Sequence, residues 1–248
     1  MTRRRTVYGI NAVASMLRRD ADRIEKIILL EDLGRARRAR LDELIRRVKP
    51  AVELVDADTL NRMTGTDKHQ GAAALIAARG PLDDHAAIDL VNRLDCPLIL
   101  ILDGVQDPRN FGACLRSADA AGTDLVVTAR NRNAPLTPVV SKVAAGAAEM
   151  QAIAEVANLA RFMTALSEAG VWLFGADGSA EEVVYSVDLT VPAGLVLGAE
   201  GTGLRRLTRE RCDQMIRLPM HGTVESLNVS VAAGICLYEA RRQRAVCD

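Results

Sequence analysis

The hydrophobic positions along the chain alternate between short apolar runs and stretches with helical spacing. Near the amino terminus, an apolar face at helical spacing predicts an amphipathic helix over Ile10–Arg19. Four consecutive aliphatic residues, Ile27 to Leu30, predict a strand over Ile24–Leu30 of the kind buried on both faces. Arg35–Val48 reads as a helix stopped by Pro50, Val52–Val55 as a strand, Asp58–Met63 as a short helix and Ala72–Ala77 as another strand. The pattern then weakens. Gly80-Pro81 interrupts it, and only a weak helix at His85–Leu94 follows. A linker is therefore expected over 79–95, between a first domain at 1–78 and a second at 96–248.

The second domain repeats a strand–helix alternation. Strand Leu98–Leu102 precedes a helix over Asn110–Ala121, strand Asp124–Thr128 a helix over Val139–Ala147, and strand Gln151–Val156 a helix over Leu159–Ala169. Strands at Val171–Gly175 and Gly194–Leu197, a short helix at Leu204–Cys212, a strand at Gln214–Leu218 and a final helix over Asn228–Arg244 complete it. Alternation of this kind argues for an α/β fold with a mostly parallel sheet covered by helices on both faces.

Composition adds little until it is divided. The 248 residues carry 32 Lys and Arg against 32 Asp and Glu, a net charge of zero that by itself argues against nucleic acid. Residues 1–79, however, carry 17 basic and 11 acidic side chains, and residues 80–248 carry 15 and 21. A module of charge +6 is thus joined to one of −6, and two modules of different character are expected. The basic residues gather at Arg3, Arg4 and Arg5 and again from Arg35 to Lys49. There Asp42 and Glu43 stand at spacings that also permit ordinary helix-face pairing. Aromatic residues are 3% of the chain, which disfavours RNA recognition by base stacking. Five cysteines with no Cys-x-x-Cys pair argue against a zinc site or disulfide framework and for a reducing compartment. The longest aliphatic run, Leu98 to Leu102, is far too short to span a bilayer.

Three polar, glycine-bearing loops each follow a strand and open a helix. In an open α/β sheet that is where ligands bind. The first runs from Asp103 through Asp107, Arg109 and Asn110 to Arg116. Within it Asn110 suits a helix cap, and Arg116 is spaced to pair with Asp119. The second, Gly198-Ala-Glu200-Gly201-Thr-Gly203, lacks the lysine of a phosphate-binding P-loop. The third runs from Leu218 to Ser230, with Ser226 and Asn228 as cap candidates. No fingerprint of a dinucleotide-binding domain follows the first strand of either part.

Taken together, Asn110-x5-Arg116, Leu197-Gly-Ala-Glu-Gly-Thr-Gly-Leu204 and Ser226-Leu-Asn228-Val-Ser230 resemble the three motifs of SpoU-class ribose 2′-O-methyltransferases, within the SPOUT superfamily. The resemblance spans residues 97–245, including Ala145-Gly-Ala147. Tyr8-Gly-Ile-Asn-Ala-Val13 and His69-Gln-Gly71 resemble the small substrate-binding domain of the large-subunit (23S) rRNA guanosine branch, which is related to a ribosomal-protein fold of the L30e type.

The resemblance implies a deep trefoil knot in the second domain and a homodimer through it, with an active site drawn from both subunits. It implies S-adenosylmethionine as cofactor, no metal, and rRNA as substrate. tRNA is the alternative substrate, and a catalytically silent RNA-binding assembly factor the alternative function. It assigns Asn110, Arg116, Glu200, Ser226 and Asn228 to the catalytic site, and Gly175, Gly198, Leu218 and Leu227 to the cofactor. Contacts to RNA are expected from Arg3, Arg4, Arg5, Arg37, Arg38, His69 and Arg109, in a cytoplasmic protein with no membrane partner. A guanidinium stays protonated in proteins, so Arg116 fits a clamp on an RNA phosphate better than a base.

Overall fold

The computed structural model describes residues 4–77 and 80–245; Arg3 lies outside them. The chain divides into two compact units at Gly80/Pro81. The first contains β1 (Arg4–Tyr8), α1 (Ile10–Arg19), β2 (Ile24–Leu30), α2 (Arg35–Val48), β3 (Val52–Val55), α3 (Ala57–Thr64) and β4 (Ala72–Ala77). Among the described residues these form a four-stranded sheet in the order β1-β4-β2-β3. β4 runs antiparallel to β1 and β2, whereas β2 and β3 are parallel.

β1 was not expected, because a run of arginines hides a strand from any apolar pattern. It lies at the edge of the sheet, where charged side chains are tolerated and discourage further pairing. α2 buries only Leu41, which leaves its arginines on the outside. Lys49 ends the helix in the left-handed region one residue before Pro50.

The second unit contains α4 (Asp84–Val91), β5 (Leu98–Asp103), α5 (Pro108–Ala120), β6 (Leu125–Ala129), α6 (Pro138–Ala144), α7 (Ala147–Met150) and β7 (Ile153–Val156). It continues with α8 (Leu159–Glu168), β8 (Trp172–Ala176), β9 (Glu182–Val183), β10 (Ala193–Gly198), α9 (Arg206–Arg209), β11 (Gln214–Arg217) and α10 (Val229–Arg244). Among the described residues the sheet has seven strands in the order β7-β6-β5-β10-β8-β11-β9, all paired in parallel. This is the α/β architecture expected from the alternation.

All six residues of β5 are buried. Leu98, Leu100 and Leu102 join one hydrophobic core, and Ile99 and Ile101 join the core on the opposite face. Each such fully buried side chain contributes roughly 1.5–3 kcal/mol of transfer free energy.

Two expectations change here. Residues 81–95 of the segment expected as a linker belong to the second unit: Leu82 pairs with Ala154, and Ala87 and Val91 of α4 are fully buried or nearly so in its core. The single helix expected over Val139–Ala147 is two. Ala145 (φ 52) and Gly146 (φ 94) turn into the left-handed region and separate α6 from α7.

Candidate active site

The register between β5 and β10 sets Asp103 beside Gly198, so the first two motif loops leave the sheet side by side. Asp107 caps α5: its Oδ1 accepts the backbone N–H groups of Arg109 (2.6 Å) and Asn110 (3.1 Å), with Pro108 at the first helical position. Capping thus falls to Asp107 rather than Asn110, and the Asn110 side chain is left for another partner.

The second loop folds back on the end of β10. Gly203 donates its N–H to the Ala199 carbonyl at 2.9 Å. A Cβ on Gly198 would stand 2.1 Å from the carbonyl carbon of Gly203 and 2.4 Å from the nitrogen of Leu204. Only glycine permits that approach. Asp103, 1% exposed, ties this loop to β5: one carboxylate oxygen accepts the Arg205 N–H at 3.1 Å, and the other faces the Arg205 guanidinium at 3.3 Å.

The third loop supplies the hub. Asn228 is the N-cap of α10, its Oδ1 accepting from the N–H (2.9 Å) and hydroxyl (2.6 Å) of Ser230. Its Nδ2 then donates to Asn110 Oδ1 at 2.9 Å and to Glu200 Oε1 at 2.7 Å. One residue from each motif loop therefore meets at a single amide. Cys114, one helical turn beyond Asn110, has its thiol pushed up to about 12 by burial and, secondarily, by the Glu200 charge. At neutral pH it is a thiol, the form that does not act as a nucleophile.

Beside this hub lies a cleft of about 690 Å³. Its walls come from the carboxyl ends of β8 and β10 and from the loops that follow β10 and β11. Gly198, Leu218, Leu227, Ser226, Glu200 and Asn228 all line it. A smaller neighbouring cavity of about 130 Å³ is lined by Asn110 and shares Ala199, Glu200 and Val229 with the cleft. The charged side chains lining the cleft are Asp177, Glu200 and Glu225, with no Lys, Arg or His among them.

Asp177 was not singled out in the sequence, although it follows the carboxyl end of β8 and the same strand-end rule reaches it. Its Oδ1 accepts from the Ser179 hydroxyl (2.6 Å) and N–H (2.8 Å), and its Oδ2 from Arg209 Nη1 (2.6 Å). The Ser179 hydroxyl most of all, with Arg209 adding to it, holds this carboxyl below the usual range against the opposing effect of burial.

Gly175 and Arg116 do not line the cleft, and Arg38 and His69 have side-chain partners within the first unit. A Cβ on Gly175 would meet Cys212 Sγ and Met215 Sδ at 2.8 Å, so the neighbouring Ala176–Gly178 stretch forms the wall instead. Arg116 lines neither cavity, and its exposed side chain makes no hydrogen bond or ion pair with another described residue. Arg38 pairs with Asp42 at 2.7 Å along its own helix. His69 is 6% exposed, and its ring is used internally: Nδ1 accepts the Gly71 N–H at 3.0 Å, and Nε2 faces Asn61 Oδ1 at 3.0 Å. A ring so placed holds a turn together. On the outside of the first unit, Arg4 pairs with Glu25 at 2.8 Å, Arg5 is half-buried and Arg37 is exposed. Arg109 is exposed at the start of α5 in the second unit.

This arrangement of fold and site has relatives. A model of the SpoU rRNA methylase family matches residues 97–238, and a model for RNA 2′-O ribose methyltransferase substrate binding matches residues 6–81. The chain belongs to the SpoU rRNA methylase family. It is 45% identical to the 23S rRNA (guanosine-2′-O-)-methyltransferase RlmB of Shewanella oneidensis, over 98% of this chain and 99% of the relative. Its fold is similar to that of the SpoU methyltransferase AviRb from Streptomyces viridochromogenes, crystallised with AdoMet (TM-score 0.70, 23% identity, 98% of this chain and 91% of that one). It is also similar to a crystal structure of an RNA 2′-O ribose methyltransferase (TM-score 0.65, 26% identity, 98% and 90%). Among the described residues no helix is long and apolar enough to cross a membrane.

Proposed function

We propose that the protein transfers a methyl group from S-adenosylmethionine to the ribose 2′-hydroxyl of a guanosine in 23S rRNA. The observation that carries this reading is the meeting of Asn110, Glu200 and Asn228 beside one acidic cleft, in a chain that resembles RlmB along its whole length. The cleft suits the cofactor by charge as well as size. Its lining offers carboxylates and no cations, and the ligand is cationic at sulfur. Gly198, Leu218 and Leu227 would hold it, with Asp177–Gly178 in place of Gly175.

When bound, S-adenosylmethionine supplies a methyl group on a sulfonium, an electrophile that needs no activation by the protein. The chain's own residues align the acceptor and help its hydroxyl lose a proton. Alignment alone is worth roughly 7–11 kcal/mol in favourable cases. Asn228 fixes the Glu200 carboxylate and the Asn110 amide, each of which has acceptor capacity left for a ribose hydroxyl. Ser226 presents a hydroxyl at the cleft wall. Arg116, a permanent cation with a forked donor set, clamps the phosphate of the target nucleotide and stabilises the developing alkoxide.

In the same reading the second unit carries the family's deep trefoil knot, the first unit has the L30e-like fold and binds RNA, and the protein works as a homodimer in the cytoplasm. The strand order supports the knot: the chain leaves β8 for the edge at β9, returns as β10 between β5 and β8, then crosses back to β11. Two observations support the dimer. Along α10, Val231 and Tyr238 are exposed, and the half-buried Ile235 lies between them in an apolar stripe. Arg116 stands outside the cleft of its own chain, where it is free to complete the site of a second copy.

The test is to incubate the protein and S-adenosylmethionine with unmodified 23S rRNA and with bulk tRNA, and to map ribose methylation. One methylated guanosine in rRNA is expected. Methylation of tRNA alone overturns the substrate, and no methylation of either overturns the activity.

A further inference from the structure

The second unit is acidic overall, yet one of its faces is not. Many of its 15 basic residues are already engaged within the unit. Arg161, Arg205, Arg206, Arg209 and Arg242 each sit against a carboxylate, and Arg244 donates to main-chain carbonyls. Around the first motif loop the pattern reverses. The side chains of Arg109, Arg116, Arg132 and Lys142 are exposed and make no hydrogen bond or ion pair with another described residue. Arg130, also exposed, donates to the neutral carbonyl of Glu155 at 3.3 Å and keeps its charge uncompensated. From Leu125 to Ala148 the sequence contains no Asp or Glu.

The fold gathers these cations. Asn133 Nδ2 donates to the Leu102 carbonyl at 2.9 Å, and the Ala134 N–H to the Val105 carbonyl at 2.8 Å. The 130–137 loop is thereby fastened to the carboxyl end of β5, beside the loop that carries Arg109. α6 lies hard against α5: a Cβ on Gly112 would come within 2.8 Å of the Val140 carbonyl and of Val143. Lys142 and Arg116 therefore ride on helices in contact.

We propose that Arg130, Arg132 and Lys142, with Arg109, form a phosphodiester-binding face of the second unit, which grips the RNA strand flanking the target nucleotide. The inference rests on the methyltransferase reading above and extends it. Substrate would then be held near the site by the catalytic unit itself, in addition to any grip from the first unit. Exposed, unpaired cations on rigid supports suit polyanion binding, because each neutralised phosphate releases counterions and no native ion pair has to break. Aromatic side chains are not required, in keeping with their scarcity.

The experiment compares wild type with the triple variant Arg130→Ala, Arg132→Ala, Lys142→Ala. Affinity for a 23S rRNA fragment is measured across a salt series, and cofactor binding by calorimetry. None of the three residues lines the cofactor cleft, so S-adenosylmethionine binding is expected to persist and to report an intact second unit. The slope of log affinity against log salt is expected to become shallower by about 2, since each lost single-strand contact removes about 0.7. The charge-conserving variant Arg132→Lys, Lys142→Arg is expected to keep the wild-type slope. An unchanged slope and affinity in the triple variant, with wild type binding and methylating rRNA, overturns this face while leaving the activity intact; the surface would then serve a partner other than RNA. A charge-conserving variant that loses affinity as the alanine variant does also overturns it, because charge would not be the operative property. If wild type itself neither binds nor methylates RNA, the reading beneath the proposal fails.

Discussion

Asn228 donates a hydrogen bond to Glu200 across 28 residues of sequence, at 2.7 Å, while its carbonyl oxygen caps α10. The amide thus has one end in the helix and one in the site. The N–H donors of α10 and the carboxylate of the second motif loop fix its orientation between them, because each end finds only partners of the opposite kind.

Asn228→Asp separates these two duties. The cap survives, because a carboxylate oxygen still accepts from Ser230, so the melting temperature is expected to stay near wild type. The donor to Glu200 and Asn110 is lost, and a second carboxylate is set against Glu200, which disfavours two ionised groups in contact. Turnover is expected to fall by about 100-fold, the scale seen when one positioned donor is removed from an active site. Steady-state kinetics beside thermal melting reads both effects, and near-normal turnover would overturn the hub's importance.

Arg116→Lys keeps the charge and removes the fork. If Arg116 clamps a phosphate through paired hydrogen bonds, turnover is expected to drop roughly tenfold to a hundredfold. S-adenosylmethionine binding should be unchanged, since Arg116 lies outside the cleft. Activity close to wild type would reduce its role to that of a point charge.

Asp177→Asn tests the acidic wall. The sulfonium loses its charge when the methyl group leaves, so a carboxylate in the wall favours the cofactor over the product. Affinity for S-adenosylmethionine is expected to fall about fivefold, a Coulombic effect already reduced by solvent, with little change for S-adenosylhomocysteine. Because the Asp177 carboxyl is held below the usual range, its charge and the stability that goes with it are fully present above the unfolded-state value. They are lost as pH falls through the lowered folded-state value. Calorimetry with both ligands, repeated down the acidic range, checks the sign, and equal losses for the two ligands would contradict it.

His69→Ala should act on folding and not on recognition. Removing the ring leaves the buried Gly71 N–H without its acceptor, at a cost of about 1–3 kcal/mol to the first unit. RNA affinity per folded molecule is expected to stay unchanged. A loss of RNA affinity with unchanged thermal stability would restore His69 as a contact.

Much of this was legible in the sequence because the residues in question obey local rules. The all-aliphatic β5 and the strand-end loops announced themselves by runs and by glycines, and Asn228 was already a cap candidate. What stayed hidden depends on partners distant in the chain. β1 is a strand because β4 offers it an edge, which no pattern in Arg4–Tyr8 declares. His69 is a turn support because Asn61 and Gly71 surround it. Asp107 took the cap that suited Asn110, and the difference lay in which side chain stood two residues before Arg109, not in capping propensity. The 81–95 segment passed for a linker because α4 is short, although Ala87 and Val91 are buried in the second unit's core.

β5 is the wall that two hydrophobic cores share, and both the Asp103 strut and the first motif loop hang from its end. Neither core can melt without stripping that strand of one covered face. The second unit should therefore come apart in one cooperative step, with amides of β5 and β10 exchanging with solvent only through global opening. A destabilised variant would then hold a mixture of fully competent and wholly inactive molecules, with no intermediate population whose site is merely loosened.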